Sequence, residues 1–386
     1  MKDNIRKYFV TLTPLDKFFF GGERTLGQGD YANYFVKSNY FPQQTGILGL
    51  IRYELLAQKN WLSSKGKRVP KEAKSLIGPH SFKIKRDGDN NFIENDFGEI
   101  ESVSQLFIVK LDKAGKVEKK ITQNSLLHFK GDDFDGYKIV NYKNSSINYL
   151  YKRFTEGKLL RKDIYGRFQS KEGVFNGLVD EQGNNYDYKC VFQEDMQIGI
   201  KKMSEKDGFY KQTFLRLKPG YAFAFYVNLK GNSDYKFESS LTKMGGEQSG
   251  FKMNVSMLEE SEHWNLPIYD LSYSKCLESE TDNFKIFVLN SHSFCEPSVY
   301  KLCEFGMTDT LDFRFIETKI DETEFYNNYD PKEHKEKNLN KSGKYTLIKA
   351  GSIFLIKNDN EEKFTKLLNN VCFQQIGYNQ YTEIKN

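Results

Sequence analysis

The chain has 386 residues, of which 38% are hydrophobic and 15% aromatic, enough apolar matter for real cores and too much for wholesale disorder. Its 57 lysines and arginines outnumber its 52 aspartates and glutamates by only five. So small an excess excludes a globally basic, histone-like chain and confines any nucleic-acid contact to a local groove or stripe. No eighteen apolar residues run together, the N-terminus lacks a signal-like apolar run, and the five cysteines show no C-x-x-C spacing. These features lead us to expect a cytoplasmic protein with reduced thiols, two or three domains, and neither a metal site nor a cofactor.

In chain order, residues 7–15 alternate, with Tyr8, Val10 and Leu12 on one face and Phe9, Thr11 and Thr13 on the other. That is a strand, with Pro14 near its end. A glycine-bearing loop follows, and a helix is expected near Thr45, with Pro42 just upstream and Thr45 able to cap it. Ile47, Leu48, Ile51, Leu55 and Leu56 recur there at helical spacing and give one buried face. Strands are expected over 104–111, 189–200, 212–217 and 221–229. In the last of these, Tyr221, Phe223, Phe225, Val227 and Leu229 share a face. Residues 234–244 read as a short helix stopped by Gly245-Gly246.

Strand patterns return over 284–290, 311–316, 346–349 and 352–357. Residues 361–370 read as a helix with Phe364, Leu367 and Leu368 on one side. Many strands with few helices between them point to an α+β fold. Three polar stretches, 65–96, 259–282 and 321–342, read as surface insertions.

The chain carries no G-x-x-x-x-G-K-[ST], H-E-x-x-H or G-x-S-x-G motif. The acidic clusters at 87–91 and 131–136 lack the Gly and Glu placement of a calcium loop and read as solvated turns. The histidines are scattered, and only His128 sits beside both apolar and acidic neighbours. Glycine-rich turns next to cations carry more information. Gly21 and Gly22 stand beside Arg24, where bare backbone can approach a phosphate. Gln44, Thr45 and Gly46 open a helix, whose first N–H groups favour anions. The segment 151–173 interleaves Arg153, Arg161, Lys162 and Arg167 with Tyr151, Phe154, Tyr165 and Phe168, so that cations can track phosphates while rings stack on bases. Lys201 and Lys202 lie at a hairpin turn between two expected strands.

In their order along the chain these pieces resemble the RAMP superfamily of CRISPR proteins, more narrowly the Cas-five-like third subunit of the Cmr (type III-B) complex. The resemblance rests on Leu12 to Gly22 (LTPLDKFFFGG) and on Phe41 to Arg52 (FPQQTGILGLIR). It continues through Gln197 to Ile200, Gly208 to Tyr210, Met244 to Glu247 and Lys349 to Phe354 (KAGSIF). The family's glycine-rich C-terminal loop is reduced to Ile376-Gly377-Tyr378-Asn379-Gln380.

The resemblance implies two ferredoxin-like (RRM-like) domains, 1–218 with insertions and 219–386. It implies a non-catalytic subunit that holds the repeat-derived 5′ tag of the guide RNA in antiviral defence. The implied partners are the guide RNA, the large polymerase-like subunit and a backbone RAMP subunit, with target RNA met only indirectly and no membrane. Gly21, Gly22, Arg24, Gln44, Thr45, Gly46 and Arg52 would then meet the tag. Lys243, Gly245 and Gly246 would admit a phosphate, and Arg153, Arg161, Lys162, Arg167, Lys201 and Lys202 would line the guide channel. Two other readings stay open. One is a RAMP endoribonuclease using His128 or His80 on guide precursor; the other is a purely architectural subunit.

Overall fold

In the computed structural model the chain is described over residues 5–21, 24–25, 34–62, 70–124, 137–141, 149–153, 161–162, 168–169, 177–182, 184–201, 208–231, 236–245, 247–259, 261–264, 266, 284–308, 310–318 and 339–384. The fold is α+β, with mostly antiparallel sheets and few helices.

The first strand, β1 (Ile5–Pro14), lies between Tyr221–Lys230 and Ser249–Met257 and runs antiparallel to both. Around these three grows a nine-stranded sheet. Its order runs Asn185–Tyr186, Gly177–Asp180, Val117–Asn124, Phe107–Leu111, Tyr221–Lys230, β1, Ser249–Met257, Ser240–Met244, with Ile100–Val103 also on Tyr221–Lys230. The alternation of β1 works as its sequence requires: Tyr8, Val10 and Leu12 enter the main core. Phe9, on the other face, meets Tyr226 and Phe107. Helix α1 (Gln44–Gln58) buries its expected stripe of Ile47, Leu48, Ile51, Leu55 and Leu56 in that same core. The helix starts one residue before Thr45. Its N-cap is Gln43, in extended conformation, so Thr45 lies inside the first turn and does not cap.

Tyr221–Lys230 is buried on both faces, which the sequence pattern did not show. Phe223, Phe225, Val227 and Leu229 face the main core, while Ala222, Ala224 and Tyr226 belong to a second cluster with Phe107 and Val109. Leu258, Trp264 and Leu266 cover that second cluster, and Trp264 Nε1 donates to Asn228 Oδ1 at 3.0 Å. The start of the expected insertion 259–282 is therefore a packed strap, with Trp264 and Leu266 partly buried against that cluster. The expected insertion 65–96 is also partly core. Its helix α2 (Ala73–Ile77) buries Ala73, Leu76 and Ile77, and Phe82 meets the rings of Phe313, Phe315 and Phe373.

Residues 240–244 form an edge strand rather than the end of a helix. Ser240–Met244 pairs with Ser249–Met257 through a turn in which Gly245 holds φ +88. Cross-strand pairing overrode the local helical pattern. Residues 104–106 likewise leave the strand conformation, between Ile100–Val103 and Phe107–Leu111.

The second sheet orders Tyr381–Ile384, Phe284–Leu289, Ile353–Lys357 and Cys303–Met307, all antiparallel. The short strands Phe168–Gln169 and Arg161–Lys162 extend its edge. Helices Val299–Leu302 and Glu361–Leu368 help form its core, where Phe287, Phe354, Ile356, Val299, Phe364 and Leu368 meet. Glu361 and Glu362 in the first turn and Lys366 in the last suit the helix dipole. A third sheet joins a ten-pair hairpin, Phe192–Lys201 with Gly208–Leu217, to Tyr34–Lys37 and Arg24–Thr25. The hairpin expected from the sequence is thus present.

The expected boundary at 218/219 falls between two strands. That point is a turn between Gly208–Leu217 and Tyr221–Lys230, and the large sheet draws strands from both sides of it. The second sheet begins at Phe284 yet takes Arg161–Lys162 and Phe168–Gln169 from far upstream. Among the described residues, no helix is long and apolar enough to cross a membrane.

Candidate functional site

A groove of about 1300 Å³ runs along the seam between the sheets. Segments distant in sequence converge on it: Phe20-Gly21, residues 37–44, Gln105-Leu106, Asp187 to Lys189, Asn290 to His292, Lys349-Ala350 and Gly377-Tyr378. The motifs around Gly21, Gln44, Ala350 and Gly377 thus share one wall-and-floor arrangement.

The floor is built by internal polar clasps. Gln44 is 7% exposed, and its Nε2 donates to the carbonyls of Ser104 and Ile376 at 2.8 and 2.9 Å. Its backbone N–H donates to the hydroxyl of Tyr378 at 3.2 Å, and burial pushes that hydroxyl's pKa up. Gly377, at φ +85, lies so close that a Cβ there would fall 2.2 Å from Gln44 Nε2 and 2.4 Å from Gln105 N. Asn379 is fully buried, at φ +54. Its Nδ2 donates to Phe294 and Leu368 carbonyls, both at 2.9 Å, and its Oδ1 accepts from Phe294 N at 2.8 Å. His292 Nδ1 accepts from Ala350 N at 3.0 Å, and burial, helped by Lys349, lowers this imidazole's pKa to about 4. The imidazole is therefore neutral near pH 7, with its proton on Nε2. The C-terminal turn, 376–380, locks the entry of α1 to the second sheet.

The rim is looser and charged. Gly21, at φ +73, would place a Cβ with nothing within 4 Å, and its carbonyl accepts from Asn39 N at 2.7 Å. Phe20 N donates to Ser38 Oγ at 3.0 Å, which ties the two sides of this turn together. Tyr40 lies flat on Tyr188, with centroids 4.0 Å apart and planes 7° apart. Lys37 Nζ sits 5.5 Å over the Tyr40 ring and pairs with Glu194. Burial raises the pKa of both tyrosine hydroxyls. The lining holds four cations (Lys37, Lys189, Arg314 and Lys349) against three carboxylates (Asp187, Glu194 and Asp312). So nearly neutral a groove cannot bind a polyanion by charge alone; stacking and hydrogen bonds must share the work.

The sequence-selected residues divide accordingly. Gly21 and Gln44 line the groove, Gly46 is exposed in the first turn of α1, and Thr45 is half-buried beside it. Arg52 is instead buried at 7% exposure and donates to the carbonyls of Ile77 and His80, an internal clasp between α1 and the turn after α2. Desolvation holds its pKa down at about 10, so it remains a cation. Gly245 is needed for packing, since a Cβ there would lie 2.3 Å from the carbonyl of Phe19. Lys243 is exposed on the neighbouring edge strand and does not line the groove.

Arg24, Arg153, Arg161, Lys162 and Lys201 lie on strands, with the backbone alone described. Gly22, Arg167, Lys202, Gly246 and His128 lie outside the described residues. Tyr40, Tyr188, His292 and Asn379 were not singled out from the sequence. Tyr40 and Tyr188 stand 148 residues apart, and no local pattern announces that they stack.

Residues 10–119 match the family described as CRISPR-associated protein (Cas_Cmr3). No curated protein matches the chain. Among solved structures, the chain is similar to one from "Cryo-EM structure of the Type III-B Cmr-beta bound to cognate target RNA and AMPPnP, state 1", with 14% identity, 97% of this chain and 96% of that one covered, and a TM-score of 0.41. The corresponding complex bound to cognate target RNA gives 13% identity, 97% and 96% coverage and a TM-score of 0.40. The Csm3-Csm4 subcomplex of the type III-A interference complex gives 13% identity, 91% and 94% coverage and 0.34. Residues 10–119, which hold the second half of β1, the Gly21 turn and all of α1, are thus similar to the Cmr3 family of CRISPR-associated proteins.

Proposed function

We propose that the protein is a non-catalytic RNA-binding subunit of a type III-B (Cmr) effector complex, with the repeat-derived 5′ tag of the guide RNA held along the seam groove. The observation that carries this reading is convergence. Motifs around Gly21, Gln44, Ala350 and Gly377, more than 350 residues apart at the extremes, meet on one groove lined by stacked tyrosines. A single-stranded tag needs rings for its bases, a few cations for its phosphates and fixed hydrogen-bonding groups to set its register. The large polymerase-like subunit and a backbone RAMP subunit are its partners in this reading, and catalysis rests with them.

Strand order supports a ferredoxin-like reading of both main sheets. In the second sheet, Phe284–Leu289, Val299–Leu302, Cys303–Met307, Ile353–Lys357, Glu361–Leu368 and Tyr381–Ile384 follow a β-α-β-β-α-β sequence, with short strands of 310–348 inserted between the second and third strands and helix Val371–Gln374 before the last. The fourth of these strands lies beside the first and the third between first and second. The inner strands of the large sheet, β1, Phe107–Leu111, Tyr221–Lys230 and Ser249–Met257, have the same order, with the Ser240–Met244 strand where the second helix would stand. On this reading the second unit begins near Phe284.

The test is purification of the tagged full-length chain from its native host, with sequencing of the bound RNA. Guides sharing one repeat-derived 5′ end, reduced about tenfold by Lys189→Glu with Arg314→Glu, are the expected result. Absence of such RNA from the wild-type protein would overturn the reading.

A further inference from the structure

The far edge of the large sheet carries a surface that the groove does not use. Ser240–Met244 is its terminal strand, and no described strand pairs on its outer side. One face of this strand is fixed against α1: Ser240 Oγ donates to Glu54 Oε2 at 2.6 Å, and Gln58 exchanges hydrogen bonds with the backbone of Glu238 just upstream. The opposite face is open. Register places Leu241 beside Lys252 and then Thr13, and Lys243 beside Gly250 and then Leu15. Leu241 is 73% exposed and Leu15 61%. Lys243 and Lys252 are exposed as well, and no carboxylate among the described residues pairs with either.

A lysine on an edge strand is an ordinary guard against unwanted pairing. A bare leucine two residues away defeats that guard, because a strand laid on this edge would cover it. Two leucines framed by two cations that no described carboxylate pairs, along an open ladder, match one kind of occupant.

We propose that this corner docks an extended segment of a partner protein, one in which apolar and acidic residues stand two positions apart, paired along Ser240–Met244. Side chains two apart on the added strand fall on one face, so an apolar residue opposite Leu241 puts an acidic one opposite Lys243. Lys252, next to Leu241 on the inner strand, adds positive charge to the same corner. RNA fits this corner less well, since leucines offer phosphates nothing and the ladder edge complements a peptide backbone. The surface is separate from the groove, and the inference does not depend on what the groove binds.

The experiment is fluorescence anisotropy of the full-length protein with a labelled decapeptide of repeating Val-Thr-Glu-Thr, which sets valine and glutamate alternately on one face. The same decapeptide with lysine in place of glutamate and a decauridylate serve as controls. Binding at least tenfold tighter for the acidic peptide is expected. Leu241→Asp, at an exposed site, should abolish that binding with an unchanged circular-dichroism spectrum. Lys243→Glu with Lys252→Glu should reverse the preference toward the basic peptide. Equal or absent binding of the two peptides would overturn the proposal, as would binding that survives Leu241→Asp. Decauridylate binding lost in the double charge reversal would overturn it too, by making the corner an RNA surface.

Discussion

Gly21 and Gly377 stand on the same groove, both at positive φ, and their surroundings are opposite. A methyl group on Gly21 would meet nothing within 4 Å, whereas one on Gly377 would collide with Gln44 Nε2 and the backbone of Gln105. The rim is thus a place where side chains can be exchanged and a ligand can enter. The floor is a jammed network that holds α1 to the second sheet. Changes on the floor should cost stability, and changes on the rim should cost binding.

The largest effect expected is for Gly377→Ala, at about 4 kcal/mol, from a strained backbone added to an overpacked contact. Denaturant titration reads it, and Gly21→Ala in parallel should lose only about 1–2 kcal/mol, from the left-handed backbone alone. A similar stability for both variants would break the comparison.

Acid should loosen the floor next. The imidazole of His292 is held at about 4, against roughly 6.5 when free, so the unfolded chain takes up its proton first as pH falls. Stability contributed there is whole above pH 6.5 and drains between 6.5 and 4, by at most about 3 kcal/mol. Unfolding free energy measured against pH should show this slope, and His292→Gln should flatten it. Asp180 acts in a lower window. Hydrogen bonds from Lys119, Tyr186 and Asn184 outweigh its burial and hold its carboxyl well below the usual range. Its contribution is complete above about pH 4 and is lost only in stronger acid.

Arg52→Met should destabilise by about 2–3 kcal/mol, since two buried carbonyls lose a charged donor. RNA affinity of the folded fraction should stay unchanged in a filter-binding assay, and a tenfold loss would return Arg52 to the RNA surface. The smallest effect expected is for Lys189→Glu on the rim. It should leave the unfolding midpoint in place, weaken RNA binding several-fold, and make the salt dependence shallower by about 0.7 for one lost phosphate contact.

Much of the fold is legible in the sequence itself. The period-two alternation of β1, the apolar stripe of α1 and the Glu361–Leu368 helix each bury the side chains their spacing marked. Local pattern sufficed there because one flat face meets one core. It failed at 234–244, where a helical pattern yields to pairing with Ser249–Met257, and at 65–96, where a polar stretch hides Phe82 in the core. It also failed for Tyr221–Lys230, since a strand covered on both faces reads the same as one covered on a single face until its second partner is known.

The site was legible as motifs and not as roles. Sequence alone marked the glycine turns, the entry to α1 and the family they resemble, because those depend on residues close together in the chain. Only the tertiary structure decided that Gln44 and Arg52 are spent on internal carbonyls, that Gly245 packs on Phe19, and that Tyr40 and Tyr188 share a stack. A buried donor must find an acceptor wherever the fold supplies one. Which acceptor that is depends on contacts between segments hundreds of residues apart.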